Sequence, residues 1–206
     1  LQFLGIDNVL VLRGDARKAD NSFIPTPGGH SYASDLLDQV NNMNQGVYLH
    51  EDHDTSFSTN FCIGIAGYPE KHFESPNLKS DFKWLKKKVE MGAEFIVTQM
   101  FFDNSKYCEF VKLCRENDIN VPIIPGLKPI TSSKQLISLP KLFHIDIPED
   151  LSDLITNCKS EAQVKEAGIE WMIQQCRELM KQGAPVLHFY TMSNPGPTKK
   201  IAEAIF

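Results

Sequence analysis

No two cysteines in the 206 residues stand in a CxxC arrangement, and only five are present. Cys62, Cys108, Cys114, Cys158 and Cys176 all fall inside apolar strand or helix patterns. That placement favours reduced, buried thiols in a cytoplasmic protein over a disulfide framework or a zinc site. Long apolar runs are missing too: nothing is long enough to cross a membrane, and no secretory leader precedes the first strand. Basic charge is scarce, with 21 Lys and Arg against 26 Asp and Glu and a net charge of -5. A mildly acidic chain is a poor partner for nucleic acid, because phosphate backbones reward clustered Lys and Arg. An initiating Met is absent as well. The chain starts at Leu1 and runs almost at once into a strand, so it reads as an excised piece whose upstream part is missing.

What is present is ordinary for a soluble domain with a buried core: 42% hydrophobic and 23% charged residues. A single domain over residues 1–206 is expected. Strand patterns alternate with helix patterns. Asn8 to Leu12 is a first strand, continuously apolar at Val9-Leu10-Val11-Leu12 as when both sheet faces are covered. A helix over Tyr32 to Met43 follows. A second strand, Phe61 to Ala66, leads to a helix from about Lys79 to Met91, with Leu78, Phe82, Leu85 and Val89 on one face and Gly92 as its stop. Glu94 to Gln99 is a third strand, Ser105 to Asn117 a third helix, and Val121 to Pro125 a fourth strand closed by Gly126 and Pro129. Ser132 to Leu139 begins a fourth helix. Two further helices, Glu149 to Cys158 and Glu161 to Lys181, interrupt the alternation before a strand from Pro185 to Tyr190 and a closing helix from Thr198.

At nearly every strand end the residues change from apolar to chemically useful: Arg13-Gly14-Asp15, Tyr68-Pro69-Glu70, Gln99, Lys128 and Tyr190. In a parallel (β/α)8 TIM barrel those ends converge on one mouth, where such enzymes keep their active sites. This chain supplies about the last five β/α units of such a barrel, since five are too few to close eight strands. An open doubly wound sheet needs only about five strands and is the alternative.

Other features are less specific. His50 and His53, with Glu51, Asp52 and Asp54 around them, offer metal-ligand chemistry, but a solvated surface insertion is the better reading and no metal is expected. Gly28-Gly29 reads as a turn, because no strand precedes it and no GxGxxG follows. Arg13-Gly14-Asp15 is either a plain turn or a place where glycine lets a flat ligand approach the backbone between two opposite charges. Gln99 either caps its strand or offers an amide that both donates and accepts. Trp84, Lys87 and Lys88 share about one helical turn. They form either a solvated face or two cations for a pyrophosphate.

Taken together, Leu12-Arg13-Gly14-Asp15, Tyr32-Ala33-Ser34-Asp35, Ala66-Gly67-Tyr68-Pro69-Glu70 with His72, Thr98-Gln99-Met100-Phe101-Phe102-Asp103, Ile124-Pro125-Gly126 and Leu187-His188-Phe189-Tyr190-Thr191 resemble the methylenetetrahydrofolate reductase family, in its order and across almost the whole chain. With no regulatory domain after the barrel, the resemblance points to the short bacterial form. It implies a flavoprotein that moves hydride from NADH or NADPH through FAD to 5,10-methylenetetrahydrofolate, giving 5-methyltetrahydrofolate for one-carbon metabolism and methionine biosynthesis. By match to the family, Leu12, Arg13, Gly14, Asp15, Tyr32, Ala33, Ala66, Tyr68 and His72 surround the flavin, and Asp81, Lys87 and Lys88 hold the rest of the cofactor. Asp15, Gln99, Gln135 and Tyr190 meet the folate, with Asp15 and Gln99 as the catalytic pair.

The chain departs from the family pattern in three places. The family's general-acid Glu belongs to its first barrel strand, upstream of Leu1. Met192-Ser193-Asn194 stands where the family usually continues with Leu, Asn and an Arg that holds the folate tail, leaving Lys199 or Lys200 to replace that charge. Leu139 occupies an aromatic stacking position. Two other readings stay open: a barrel lyase or aldolase with Lys128 as Schiff base, and a non-catalytic binding module on the same scaffold. The sequence is compatible with a homo-oligomer and does not require one.

Overall fold

The structure, a computed structural model, describes residues 1–16, 22–49 and 57–206. His50 and His53 lie outside the described residues. Among the described residues five strands form one sheet: β1 (Asn8–Val11), β2 (Cys62–Gly67), β3 (Phe95–Met100), β4 (Ile123–Leu127) and β5 (His188–Phe189). Their order is β1-β2-β3-β4-β5, with no reversal. A doubly wound sheet needs a switch point where the order turns back, so the sequential order decides for the (β/α) barrel class. Parallel pairing is seen where Val9 faces Ile63 and where Gly126 and Leu127 face His188 and Phe189.

Among the described residues seven α-helices accompany the strands: α1 (Ala33–Asn44), α2 (Leu78–Glu90), α3 (Asn104–Glu116), α4 (Gln135–Phe143), α5 (Glu149–Thr156), α6 (Glu161–Lys181) and α7 (Pro195–Ile205). None among the described residues is long and apolar enough to cross a membrane. The backbone groups into two compact units, Leu1–Ala66 with Phe82–Ile96, and Gly67–Asp81 with Val97–Phe206.

In the first unit, Asn44 ties the segment before β2 to the end of α1. Its side-chain oxygen accepts from Phe61 N at 2.9 Å and its amide donates to Phe61 O at 2.9 Å. Val9 and Leu10 are half-buried and only Val11 of β1 is fully buried, so β1 is less covered than its apolar run suggests. Leu37, Ile63, Ile65, Leu85 and Ile96 are among the unit's buried apolar positions, with Val11, Phe61 and Ala93.

The second unit carries a core of Met100, Phe102, Ile130, Leu139, Ile145, Leu151, Ile155 and Val164. The long helix α6 starts where the sequence places it, because Ser160 accepts from Gln163 N at 3.3 Å while Gln163 reaches back to Lys159 N at 2.7 Å. This reciprocal arrangement satisfies N–H groups that the first helical turn leaves unpaired. Its buried face holds Val164, Gly168, Ile169, Met172 and Cys176. Leu139 is 4% exposed inside the core, so it offers no surface for ring stacking.

Gly168 sets the distance between α6 and the loop after β4. A Cβ there would collide with the backbone carbonyl of Ile130, which cannot rotate away as a side-chain tip can. Gly168→Ala is therefore expected to destabilise the fold by about 1–3 kcal/mol through overpacking. For a chain of this size that lowers Tm by roughly 2–4 °C per kcal/mol. Thermal unfolding followed by circular dichroism checks this, and an unchanged Tm would contradict the close packing.

Three expectations need adjusting. Only Cys114 and Cys176 are fully buried, whereas Cys62, Cys108 and Cys158 are half-buried, although all five are free thiols. The last strand shrinks from Pro185–Tyr190 to His188–Phe189, the stretch that pairs with β4. The closing helix begins at Pro195 rather than Thr198, because proline at the first helical positions costs no hydrogen bond and already has helical φ.

Candidate active site

The first unit presents one group of the family-matched residues. Leu12, Arg13, Gly14 and Asp15 follow β1 directly, and Leu12, Gly14 and Asp15 are exposed. Arg13 is half-buried, with its guanidinium 5.0 Å from the centre of the Phe23 ring. Among the described residues, a side chain at Gly14 would meet only the Phe23 ring edge, at 3.7 Å. Tyr32, exposed, precedes α1, and Ala33 opens it. The turn is fixed by Asp35, whose carboxylate accepts from Tyr32 N at 2.9 Å and Ser31 N at 3.2 Å.

The basic cluster of α2 divides in two. Lys88 is half-buried and its ammonium donates to the Ala66 carbonyl at the end of β2, at 3.4 Å. Lys87 is exposed and lies over the Trp84 ring, 4.8 Å from its centre. Cation–π contacts of this exposed kind are worth about 0.5–1 kcal/mol. Of the two, Lys88 is the cation held at a strand end, and Lys87 has the character of a solvated face.

The second unit begins with the loop after β2, which is held tightly. Asp81, in the first turn of α2, accepts from His72 N at 3.0 Å and from Ser75 Oγ at 3.0 Å, one bond to each carboxylate oxygen. Lys71 adds bonds to His72 O at 3.0 Å and Ser75 O at 2.6 Å. Asp81 therefore shapes the loop that presents His72. Tyr68 and His72 meet edge to face with ring centres 4.6 Å apart. His72 in turn stacks on Phe73 at 4.9 Å, and Phe73 on His144 at 4.4 Å. Glu70 accepts from Asp146 N at 3.0 Å, and burial is the main reason its carboxyl titrates above the usual range.

The ends of β3, β4 and β5 are joined through Thr98. Its hydroxyl accepts from Gly126 N at 2.9 Å, and its carbonyl accepts from the Tyr190 hydroxyl at 2.8 Å. Burial pushes the Tyr190 phenol up, so it stays a neutral donor. Tyr190 can lie across β4 only because residue 126 has no side chain: a Cβ there would be 2.7 Å from the Tyr190 ring and would collide with the Thr98 carbonyl. Gln99 sits one residue before the end of β3, half-buried, with its side-chain oxygen accepting from Met100 N at 3.0 Å. Its amide NH2 remains as a donor. Gln135 uses its oxygen to accept from Thr131 N at 2.6 Å and Ser132 N at 3.2 Å, which likewise leaves an NH2.

Gln135 and Tyr190 share a pocket of about 180 Å3 with Lys128, Thr191, Asn194 and Thr198. The sequence singles out Lys128, Gln135, Tyr190 and Asn194 there but not Thr98. A threonine inside a strand reads only as β-propensity. The available signal was glycine in a strand, which marks a close approach.

Comparison with known proteins adds a family. The model of methylenetetrahydrofolate reductase matches residues 1–205. Methylenetetrahydrofolate reductase 1 of Schizosaccharomyces pombe is 36% identical over 98% of this chain, which spans 31% of that relative's length. The 5,10-methylenetetrahydrofolate reductase of Buchnera aphidicola subsp. Acyrthosiphon pisum is 30% identical over 98% of this chain and 62% of its own. Among solved structures, an uncharacterized protein from Clostridium thermocellum that binds two copies of 5-methyl-5,6,7,8-tetrahydrofolic acid superposes with a TM-score of 0.53 at 17% identity, covering 97% of this chain and 71% of that one. At that identity the likeness is one of fold. The family match runs through every strand end described above, and this chain belongs to the methylenetetrahydrofolate reductase family.

Proposed function

We propose that the protein is a flavin-dependent reductase that takes hydride from NADH or NADPH and converts 5,10-methylenetetrahydrofolate to 5-methyltetrahydrofolate. The observation that carries this reading is the family match over residues 1–205, which includes each of the strand-end residues assigned to cofactor and folate. The folate ligand named for the Clostridium thermocellum protein supports the same substrate class.

The residues present fit FAD in chemical kind. In the first unit, Arg13 and Lys88 are cations at strand ends, Gly14 has only the Phe23 ring edge beside it among the described residues, and Tyr32 is exposed. Arg13, Gly14, Asp15, Tyr32, Ala33 and Ala66 would hold the flavin, and Lys88, more than Lys87, would face the diphosphate. Leu12, exposed, would cover its apolar edge. From the second unit Tyr68 and His72 are assigned to the same cofactor, with Asp81 acting through the loop that it clamps. Flavin held by these residues would supply hydride-transfer chemistry between a reduced nicotinamide and the methylene carbon of the folate.

The chain's own residues position and polarise. Gln99 and Gln135, each with its oxygen already engaged, offer NH2 donors to the pterin. Tyr190, anchored on Thr98, forms a wall for the folate. Asp15 places negative charge at the first strand end, where it favours the cationic iminium and opposes charge accumulating on the reduced ring. If folate and nicotinamide exchange at one site, the kinetics would be ping-pong. A Schiff-base lyase built on Lys128 is the competing reading, favoured by the burial of that amine; membership in this family weighs against it.

Reconstitution tests the proposal. Full-length protein incubated with FAD and passed through a desalting column should keep flavin absorbance. Colourless protein that also leaves FAD fluorescence unquenched would overturn it.

A further inference from the structure

The reductase reading gives Glu70 no task, although it ends the Tyr68-Pro69-Glu70 run after β2. Its carboxylate is half-buried; burial opposes its charge, and Asp146 and Asp103 oppose it further while Lys106 favours it. What the carboxylate makes is one bond of long reach, accepting from Asp146 N at 3.0 Å across 76 residues of chain. Three residues after Glu70, the Phe73 ring stacks on His144 at 4.4 Å with the planes 20° apart. Two separate contacts thus join the loop after β2 to one short segment after α4.

That segment is fixed from beneath. His144, Ile145, Asp146 and Ile147 alternate between outside and inside: His144 and Asp146 are exposed, while Ile145 is 4% exposed within the second unit's core and Ile147 packs against it. His144 also closes α4, its N–H donating to the Pro140 carbonyl at 2.9 Å. On the other side, the bonds of Asp81 and Lys71 shape the loop from within, and those of Glu70 and Phe73 reach outside it. Lys71 (φ 96°) and His144 (φ 53°) both hold the left-handed backbone region that side chains disfavour. Backbone of that kind persists where surrounding contacts over-determine it, and it gathers at ligand clamps.

We propose that Glu70 and His144 are positioning residues for the cofactor: through Asp146 N and the Phe73 ring they dock the loop onto the core, and the docked loop holds Tyr68 and His72 ready for FAD. The inference rests on the flavin reading above and deepens it, since neither residue is among those assigned to the cofactor. The rings of His144, Phe73, His72 and Tyr68 carry the constraint from the core to the cofactor residues, with successive centres 4.4, 4.9 and 4.6 Å apart. The effect is one of population. A loop docked for only part of the time binds more weakly in proportion to the fraction docked, so each lost contact raises the apparent Kd without removing a cofactor contact.

The test titrates full-length apoprotein with FAD, read by quenching of flavin fluorescence, with thermal unfolding of each variant beside it. Glu70→Ala, which removes the bond to Asp146 N, should raise the Kd for FAD roughly tenfold. His144→Asn removes the ring while tolerating the left-handed backbone, and should raise it about threefold to tenfold. Glu70→Gln keeps a side-chain oxygen for Asp146 N and should stay within about twofold. Saturated with FAD, the Ala and Asn variants should be reduced by NADH or NADPH within about twofold of the unmodified rate, because bound cofactor keeps the loop docked. An unchanged Kd in either variant, whatever its Tm, would mean that the contact serves the fold alone and would overturn the inference while leaving the flavin reading intact. Glu70→Gln as weak as Glu70→Ala would assign the effect to charge and overturn it too. If Glu70→Ala does not fold, His144→Asn, at an exposed position, decides. Failure of the unmodified protein to bind FAD would bring down the flavin reading and this inference with it.

Discussion

Gly126→Ala is expected to lower stability by about 1–3 kcal/mol and, in addition, to remove most folate affinity. Two contacts close on this position from different directions. The Thr98 carbonyl is fixed backbone of β3, while the Tyr190 ring is held by its hydroxyl on that same carbonyl. A methyl group can be accommodated only if β4 moves away from β3 or Tyr190 swings out. Either movement disturbs the bond from Gly126 N to Thr98 Oγ1 and opens the pocket wall shared by Lys128 and Gln135. Leaving the buried Thr98 carbonyl without its phenol partner adds a desolvation cost of about 1–3 kcal/mol. Thermal unfolding and 5-methyltetrahydrofolate titration of the variant check both parts. A variant that keeps its Tm and its affinity would show that Tyr190 is not held as described.

Asp15→Asn should separate the two half-reactions of the proposed cycle. Asp15 is exposed, and water screens its charge: Coulomb's law at about 4 Å gives about 1 kcal/mol in water. Once a bound ring excludes that water, the same separation gives about 4 kcal/mol at the effective dielectric of a protein surface. A tenfold rate change needs about 1.36 kcal/mol, so delivery of hydride to the folate should slow by about tenfold or more in the amide variant. Reduction by the nicotinamide should keep its rate or gain, because the removed charge opposed it. Stopped-flow traces of each half-reaction read this directly. Equal slowing of both would place Asp15 in a positioning role.

Much of this architecture is legible in the chain, for reasons that can be traced to particular residues. Helix α6 runs over the residues expected, Glu161–Lys181, because Ser160 and Gln163 give a local start signal and its apolar positions keep helical period. The four longer strands fall within two residues of their apolar runs at each end because parallel strands covered on both faces need such runs. Strand β5 was harder: its length depends on how far β4 can pair with it, and Pro185 to Leu187 look equally extended without a partner. The start of α7 was hidden by Pro195-Gly196-Pro197, which reads as a breaker unless the helix begins there.

At the site, residue types were easier to find than their employment. Asp81 is present as expected, but the loop consumes both its oxygens, a fact of tertiary hydrogen bonding that spacing does not carry. Lys87 and Lys88 look alike in sequence and differ in the structure, because neighbours on a helix project about 100° apart. Leu139 sits in the core where a stacking surface was expected. The burial of Lys128 could not be read from Leu-Lys-Pro, since lysine is rarely enclosed.

The proposed reaction shuttles hydride from nicotinamide to folate through one bound flavin, and anaerobic spectroscopy of the FAD-loaded full-length protein tests it. NADH or NADPH should bleach the flavin and methylenetetrahydrofolate should then restore the colour, with 5-methyltetrahydrofolate formed in equal amount. Bleached flavin that stays bleached when methylenetetrahydrofolate is added, and recovers only with air, would contradict it.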